Sequence, residues 1–463
     1  QPNRWDIWHQ RGQVLYQLER YDIAIANYNQ ALQLDSTQSQ LWLDRADALI
    51  QLQQWEAAVS SYVCALQQPE FAQAARAGFE QIIQVQPQMA IAWYWHGMAC
   101  LQLQQFQLAA VSFAQTVALQ SDHTEAWFNR GIALGQLQQW QSAADCFAHL
   151  LHLQPNRVEA QVQQSRALLH LGQPKTAVQI LNLVVEQRPE YGLAWVTRGR
   201  AFLQLNQSEL AIASFDRALQ CQIVDETITA EIWLLRGDAL RQMNQPDAAF
   251  QSYDWALQLA PQQAHLWTTQ GSLQFQQGDY DAAIHSFEQA LRLDPQFYAA
   301  LLLRGAALLR TQNYLAALQS LDQALQLRTD QPQAWSDRGN ALLQLKRYAE
   351  AITSYHKSLR LNLRQPQVWH NQGIALERLG YTEAALKSYN QALRFQLNSH
   401  QVWHNRGRVL AKLKRYSSAL LSFNRALKLE SDNYLCWQER SALLLRLGQF
   451  DASISSLTQA LVM

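Results

Sequence analysis

A period of 34 residues runs through this sequence, and it removes the expectation of an ordinary globule with one core. Gly12, Gly97, Gly131, Gly199, Gly237, Gly271, Gly305, Gly339, Gly373 and Gly407 fall in one register; Ala46, Ser165 and Ser441 take the same place in the remaining units, which makes 13 units. This small residue is numbered 0 in its unit below. A Trp stands at −4 in 11 of the 13, from Trp8 and Trp42 to Trp403 and Trp437. Ala stands at +12 in every unit but the last, which has Ser453, and a ring or Leu stands at +16, as in Tyr28, Phe113, Phe287 and Phe423.

Spacings of 3 and 4 inside each half place these residues on one helical face, and polar breaks such as Gln104-Gln105, Gly278-Asp279 and Lys346-Arg347 separate the halves. Each unit is therefore expected to be two antiparallel helices, a leading and a return helix. Gly at 0 and Ala at +12 fit a close helix crossing that leaves no room for a larger side chain. One hairpin cannot cover its own apolar faces, so the units must stack.

The pattern W-x3-G-x2-L/A followed by A-x3-F/Y-x2-A, as in the stretch from Ala126 to Pro155, resembles the tetratricopeptide repeat family over nearly the whole chain. The resemblance implies an all-α fold, a right-handed superhelical solenoid of antiparallel helix pairs with about 13 units plus one extra helix. It also implies that the leading helices line a concave groove. Some members hold a chaperone's C-terminal carboxylate with a Lys at −3, but this chain has no Lys there. Sugar-transferase arms of the family carry an Asn ladder at −2, which only Asn129, Asn371 and Asn405 match.

Two gaps depart from the period. Ala46 and Gly97 are 51 residues apart, one period and 17 residues more, and Glu70 to Val85 fit a single extra helix. The alternatives are a tolerated surface insertion or a deliberate kink. Gly199 and Gly237 are 38 apart, an insertion of four near Cys221 to Ala230. The chain accordingly divides into N-terminal repeats (1–69), an irregular extra helix (70–89), repeats (90–222) and repeats with a basic C-terminal end (223–463).

No apolar run reaches the roughly 18 to 20 residues a bilayer requires, and the N-terminus has no signal-peptide pattern, so a cytoplasmic protein without membrane insertion is expected. The chain does not start with Met, which fits a processed chain or a segment of a longer one. Five scattered cysteines fit buried thiols rather than a disulfide framework or zinc site. The 12 histidines include His370 and His404 at −3 of adjacent units, but no HExxH motif or Cys/His cluster accompanies them. No phosphate loop or nucleophile elbow occurs. The expectation is a non-enzyme with no cofactor, no metal and no small-molecule substrate.

Trp at −4 is followed by Arg at −1 in eight units: Trp8/Arg11, Trp42/Arg45, Trp127/Arg130, Trp195/Arg198, Trp233/Arg236, Trp335/Arg338, Trp403/Arg406 and Trp437/Arg440. On a helix these are neighbours, and a scaffold role is the expectation, with a ladder of anion-binding arginines as the alternative.

Charge is the strongest departure from uniformity. Residues 341 to 463 hold 17 Lys and Arg against 7 Asp and Glu, while residues 1 to 340 hold 20 against 30, so the zero total hides two oppositely charged parts. Positions −2 and +5 are two helical turns apart and share one face of the leading helix. In the last units that face presents Asn371 with Arg378, Asn405 with Lys412, and Glu439 with Arg446, with Arg408 on a neighbouring strip, where most earlier units carry Gln at +5, as in Gln17, Gln51, Gln102 and Gln136, and Arg310 is an earlier cation. The expected partner-binding residues are His370, Asn371, Arg378, His404, Asn405, Arg408, Lys412 and Arg446, and the expected ligand is an acidic segment of a protein partner. A scaffold or adaptor is the leading reading, and a sensor or targeting arm of a larger kinase, protease or transferase is the alternative. Nucleic-acid binding is disfavoured because the basic residues stop at about one third of the array.

Overall fold

A computed structural model describes residues 4–221 and 225–462, which form 27 α-helices, one short 3-10 turn and no strand. A regular unit is the pair Thr124–Gln136 and Trp140–Leu153, of 13 and 14 residues. The residue at +7 closes each leading helix in the left-handed region, from Glu19 (φ 58°) to Gly448 (φ 73°), and only four of the units use Gly there. The next N–H then reaches back to the carbonyl at +3, as from Gln105 to Cys100 (2.8 Å) and from Gln54 to Leu49 (2.9 Å). That bond stops the helix and starts the return.

The pairs are held by the contact the sequence pattern requires. A Cβ added to Gly12, Gly373 or Gly407 would lie 2.5 to 2.6 Å from the ring of Tyr28, Tyr389 or Phe423, and one on Gly305 would lie 2.7 Å from Leu321. Those rings are fully buried. The Trp at −4 staples the preceding loop: Trp42, Trp93, Trp127, Trp403 and Trp437 each donate the indole N–H to the carbonyl six residues upstream, at 2.8 to 3.0 Å.

The Arg at −1 is scaffold. Arg45 donates to Asn29 of the preceding return helix and to Ser61 of its own. Arg198 bridges Asn182 and Ser214, Arg406 bridges Asn390 and Ser422, and Arg440 bridges Asn424 and Ser456. Seven of the eight guanidinium groups also lie 5.3 to 5.7 Å from the centre of their own Trp ring. At Trp335 that place belongs to Lys357, 4.1 Å away.

The first break in the period is a packed helix, Ala72–Val85, entered through a 3-10 turn at Pro69–Phe71. Ala75, Phe79 and Ile82 are completely buried, and Tyr62 fills the space a side chain on Gly78 would need. It is core and not a surface insertion. The second break lengthens a leading helix to Glu226–Gln242, 17 residues, so the four extra residues supply one added turn. Residues 222–224 of that insertion lie outside the described residues.

The chain forms two compact units, Gln1–Gln245 and Pro246–Met463. The division falls at the polar break after Gln242, where the repeat count places no boundary. Among the described residues no helix is long and apolar enough to cross a membrane.

Candidate partner-binding site

The leading helices meet their successors through polar side chains at −3, −2 and +1. His9 Nε2 lies 2.6 Å from Asp44 Oδ2, and His404 Nε2 lies 2.8 Å from Glu439 Oε2. Asn405 bonds His370 Nε2 at 2.9 Å, and Asn371 donates to Asn340 at 2.8 Å. Each bond joins one unit to the next, because residues 31 or 35 apart in sequence sit side by side when the units stack.

His370 is 4% exposed, and burial draws its pKa down to about 4, so it is neutral near pH 7. Its side chain is an internal link with almost no surface to offer a ligand. Asn371, His404 and Asn405 are half-buried and bonded across units in the same way.

The basic residues sit differently. Arg408, Lys412 and Arg446 line one cavity of 190 Å³, together with Ala411, Phe423, Glu439, Ala442 and Leu443. Small residues at Ala411 and Ala442 leave it open, and the Phe423 ring lines it. Beside it Arg408 Nη2 and Lys412 Nζ both donate to Oε1 of Glu377, at 2.8 and 2.7 Å, and the Glu377 side chain is only 5% exposed. Burial pushes the Glu377 carboxyl up, but the bonds from Lys412 and Arg408 outweigh this and leave it lowered. Two cations therefore share one buried carboxylate, and with Arg446 and the Glu439 carboxylate that also lines the cavity the group carries one net positive charge. Arg378 and Arg446 are exposed and make no ion pair among the described residues.

The same register position is open at two other places. Near the start Gln13, Tyr16, Gln17, Tyr28, Asp44 and Asp47 line 310 Å³. Around Gly131 and Gly135, Gln163 and Arg166 help to line 150 Å³. A larger cavity, 490 Å³ beside Trp335 and Lys357, lies between two return helices and the leading helix Pro332–Gln344, and its Arg338 is already bonded to Asp322 and Ser354.

Along the leading helices of the last units the sequence shows Arg408, Lys412 and Arg446, but not their counter-charge Glu377, the ring of Phe423 or the acidic cavity of Asp44 and Asp47. The available signal was the pairing of columns across units: Glu377 stands 31 and 35 residues before Arg408 and Lys412. No three His, Cys, Asp or Glu side chains among the described residues are grouped to hold a metal ion.

Models of the tetratricopeptide repeat match residues 5–38, overlapping stretches from 64 to 264, and 268–332, 332–363, 366–398 and 400–433. No curated protein matches the sequence significantly. Among solved structures, the APC/C hetero-tetramer Cut9-Hcn1 is similar at 13% identity and TM-score 0.40, covering 99% of this chain and 94% of that one. A tetratricopeptide repeat protein from Parabacteroides merdae is similar at 15% identity and TM-score 0.40, covering 57% and 98%. YrrB, described as having an unusual peptide-binding site, is similar at 18% identity and TM-score 0.37, covering 40% and 95%.

Proposed function

Because this chain belongs to the tetratricopeptide repeat family, we propose that it is a protein-interaction scaffold whose C-terminal units capture an acidic segment of a partner. The observation that carries this reading is the cavity of Arg408, Lys412 and Arg446, with an uncompensated positive charge beside an aromatic ring. An incoming carboxylate takes the net positive charge of this cluster while Glu377 keeps its bonds. Arg446 and Arg378 then offer two-point contacts to further carboxylates. Charge of this kind raises association rate and selects against basic partners.

The test is titration of a fluorescent Asp/Glu-rich peptide against the chain and its Arg378→Glu/Arg446→Glu variant. Both arginines are exposed, so the fold should survive, as checked by far-ultraviolet circular dichroism. Affinity should fall about tenfold or more in the variant and fall with added salt in the parent. Equal affinity in the variant would place the site elsewhere.

A further inference from the structure

One leading helix has a gap in its column of large apolar residues, and the gap opens a cavity well inside the first compact unit. Position +4 is Ile50, Leu101, Leu169 and Leu203 in the neighbouring units, but Gly135 in the unit of Gly131. Nothing crowds the place: a Cβ on Gly135 would meet only the Trp140 ring, in ordinary contact at 3.7 Å. A cavity of 150 Å³ is left, with Ile132, Trp140 and Phe147 among its apolar walls and with Gln136, Gln163 and Arg166 as its polar lining.

The walls are held in place, so the cavity is preformed. The Trp140 ring lies flat on His170 of the next unit, with centroids 3.8 Å apart and planes 6° from parallel, and swinging into the gap would break that stack. Phe147 is buried and fixed by the close crossing at Gly131. At the mouth Arg166 donates to the Gln163 amide oxygen at 3.1 Å and makes no ion pair among the described residues. The charges that act on it are Arg200, of like sign and already paired with Glu231, and Glu231 itself, so the three carry one net positive charge. Size limits the occupant: a pocket for a free small molecule encloses about 300 Å³ or more, whereas 150 Å³ suits a single side chain carried in by a longer chain.

We infer that this cavity is an anchor subsite for a partner protein's segment in which an apolar side chain neighbours a carboxylate. The apolar side chain fills the space that Leu fills in the neighbouring units, and the carboxylate meets the free Arg166 guanidinium. The Gln136 and Gln163 amides lie at the same mouth and hydrogen-bond the backbone that joins the two. Burying the apolar side chain contributes affinity that an exposed ion pair alone does not. The inference rests on the scaffold reading above but not on the basic C-terminal cavity.

Panning a phage-displayed library of random peptides on the full chain tests this. The enriched peptides should include a class that pairs an apolar residue with a neighbouring Asp or Glu, and a labelled synthetic member of that class is then titrated against variants. Gly135→Leu fills the cavity, and the fold accepts it, since the unit of Ala46 already packs Ile50 at +4 beside Trp55 at +9 and Leu is the better helix former. It should weaken binding about tenfold or more. Arg166→Gln changes an exposed side chain and should weaken it about threefold. Arg378→Glu/Arg446→Glu should bind this peptide as the parent does. Unchanged affinity in either of the first two variants, with circular dichroism and melting like the parent's, would overturn the anchor subsite. Enrichment of purely acidic peptides alone, bound through Arg378 and Arg446, would also overturn it and leave the scaffold reading standing; a library that yields no enriched peptide would overturn both.

Discussion

The cavity at the first two units and the cavity at the last two occupy the same place in the repeat and have opposite chemistry. Both are lined by +1, +4, +5 and the +16 ring of one unit and by −2 and +1 of the next. In the first these positions are Gln13, Tyr16, Gln17, Tyr28, Asp44 and Asp47; in the last they are Arg408, Ala411, Lys412, Phe423, Glu439 and Ala442. The backbone contributes the space and the polar columns contribute its charge. On the proposed reading, a change at +1 or +5 alters what a unit binds without touching what holds it together.

The largest expected effect tests whether that division is real. Gly12→Leu and Gly407→Leu should each destabilise their end by about 3 kcal/mol, because a Cβ at 2.5 or 2.6 Å from the ring forces the helices apart. Denaturant melts should show similar losses at the acidic and the basic end. A loss at one end only would mean that the two cavities do not share a scaffold.

A second test uses two aspartates at −2 with opposite behaviour. Asp44 would be pushed up by burial, but His9, Gln13 and Gln40 bond it and leave its pKa lowered. Asp337 is buried with less help: burial raises it to about 6, against bonds from Gln333 and Asn340. The preceding unit explains this, since it offers Leu302 and Ala306 where Asp44 meets His9 and Gln13. An acid with a raised folded pKa stabilises below its unfolded value, and that contribution is lost as pH rises through about 6. Asp337→Asn should thus gain about 2 kcal/mol over the parent near pH 8, with the difference vanishing below about pH 4. Asp44→Asn should lose stability near pH 8, and a gain there would refute the contrast.

These cases also show what was legible in the sequence. Helix pairing, the close crossing at position 0 and the extra helix follow from the column of small residues and the apolar spacing, because packing is repeated in every unit. The fate of each polar column was harder to read. His370 and His404 look equivalent within their own helices, but one meets Asn405 and is nearly sealed while the other meets Glu439. Their environment is set by a residue 35 positions later, so a face drawn on one helix cannot reveal it.

The smallest expected effect sharpens the comparison at the basic end alone. Glu377 shares its charge between Arg408 and Lys412, and neither the first cavity nor Arg446 has such an arrangement. Glu377→Gln keeps the size of the side chain and removes that charge. Lys412 is 56% exposed and can turn to water, so the fold should tolerate the change with a modest loss above the ordinary carboxylate range. Because the folded pKa of Glu377 is lowered, its stabilising contribution is present at neutral pH and lost as pH falls through that lowered value. The variant should lack this acid-dependent loss. The cavity meanwhile gains one net positive charge, and an acidic peptide should bind roughly five-fold tighter, about 1 kcal/mol at low salt. The gain should shrink as salt rises. Unchanged affinity would show that Arg408 and Lys412 serve only to hold Glu377, and would leave Arg378 and Arg446 as the residues that meet the partner.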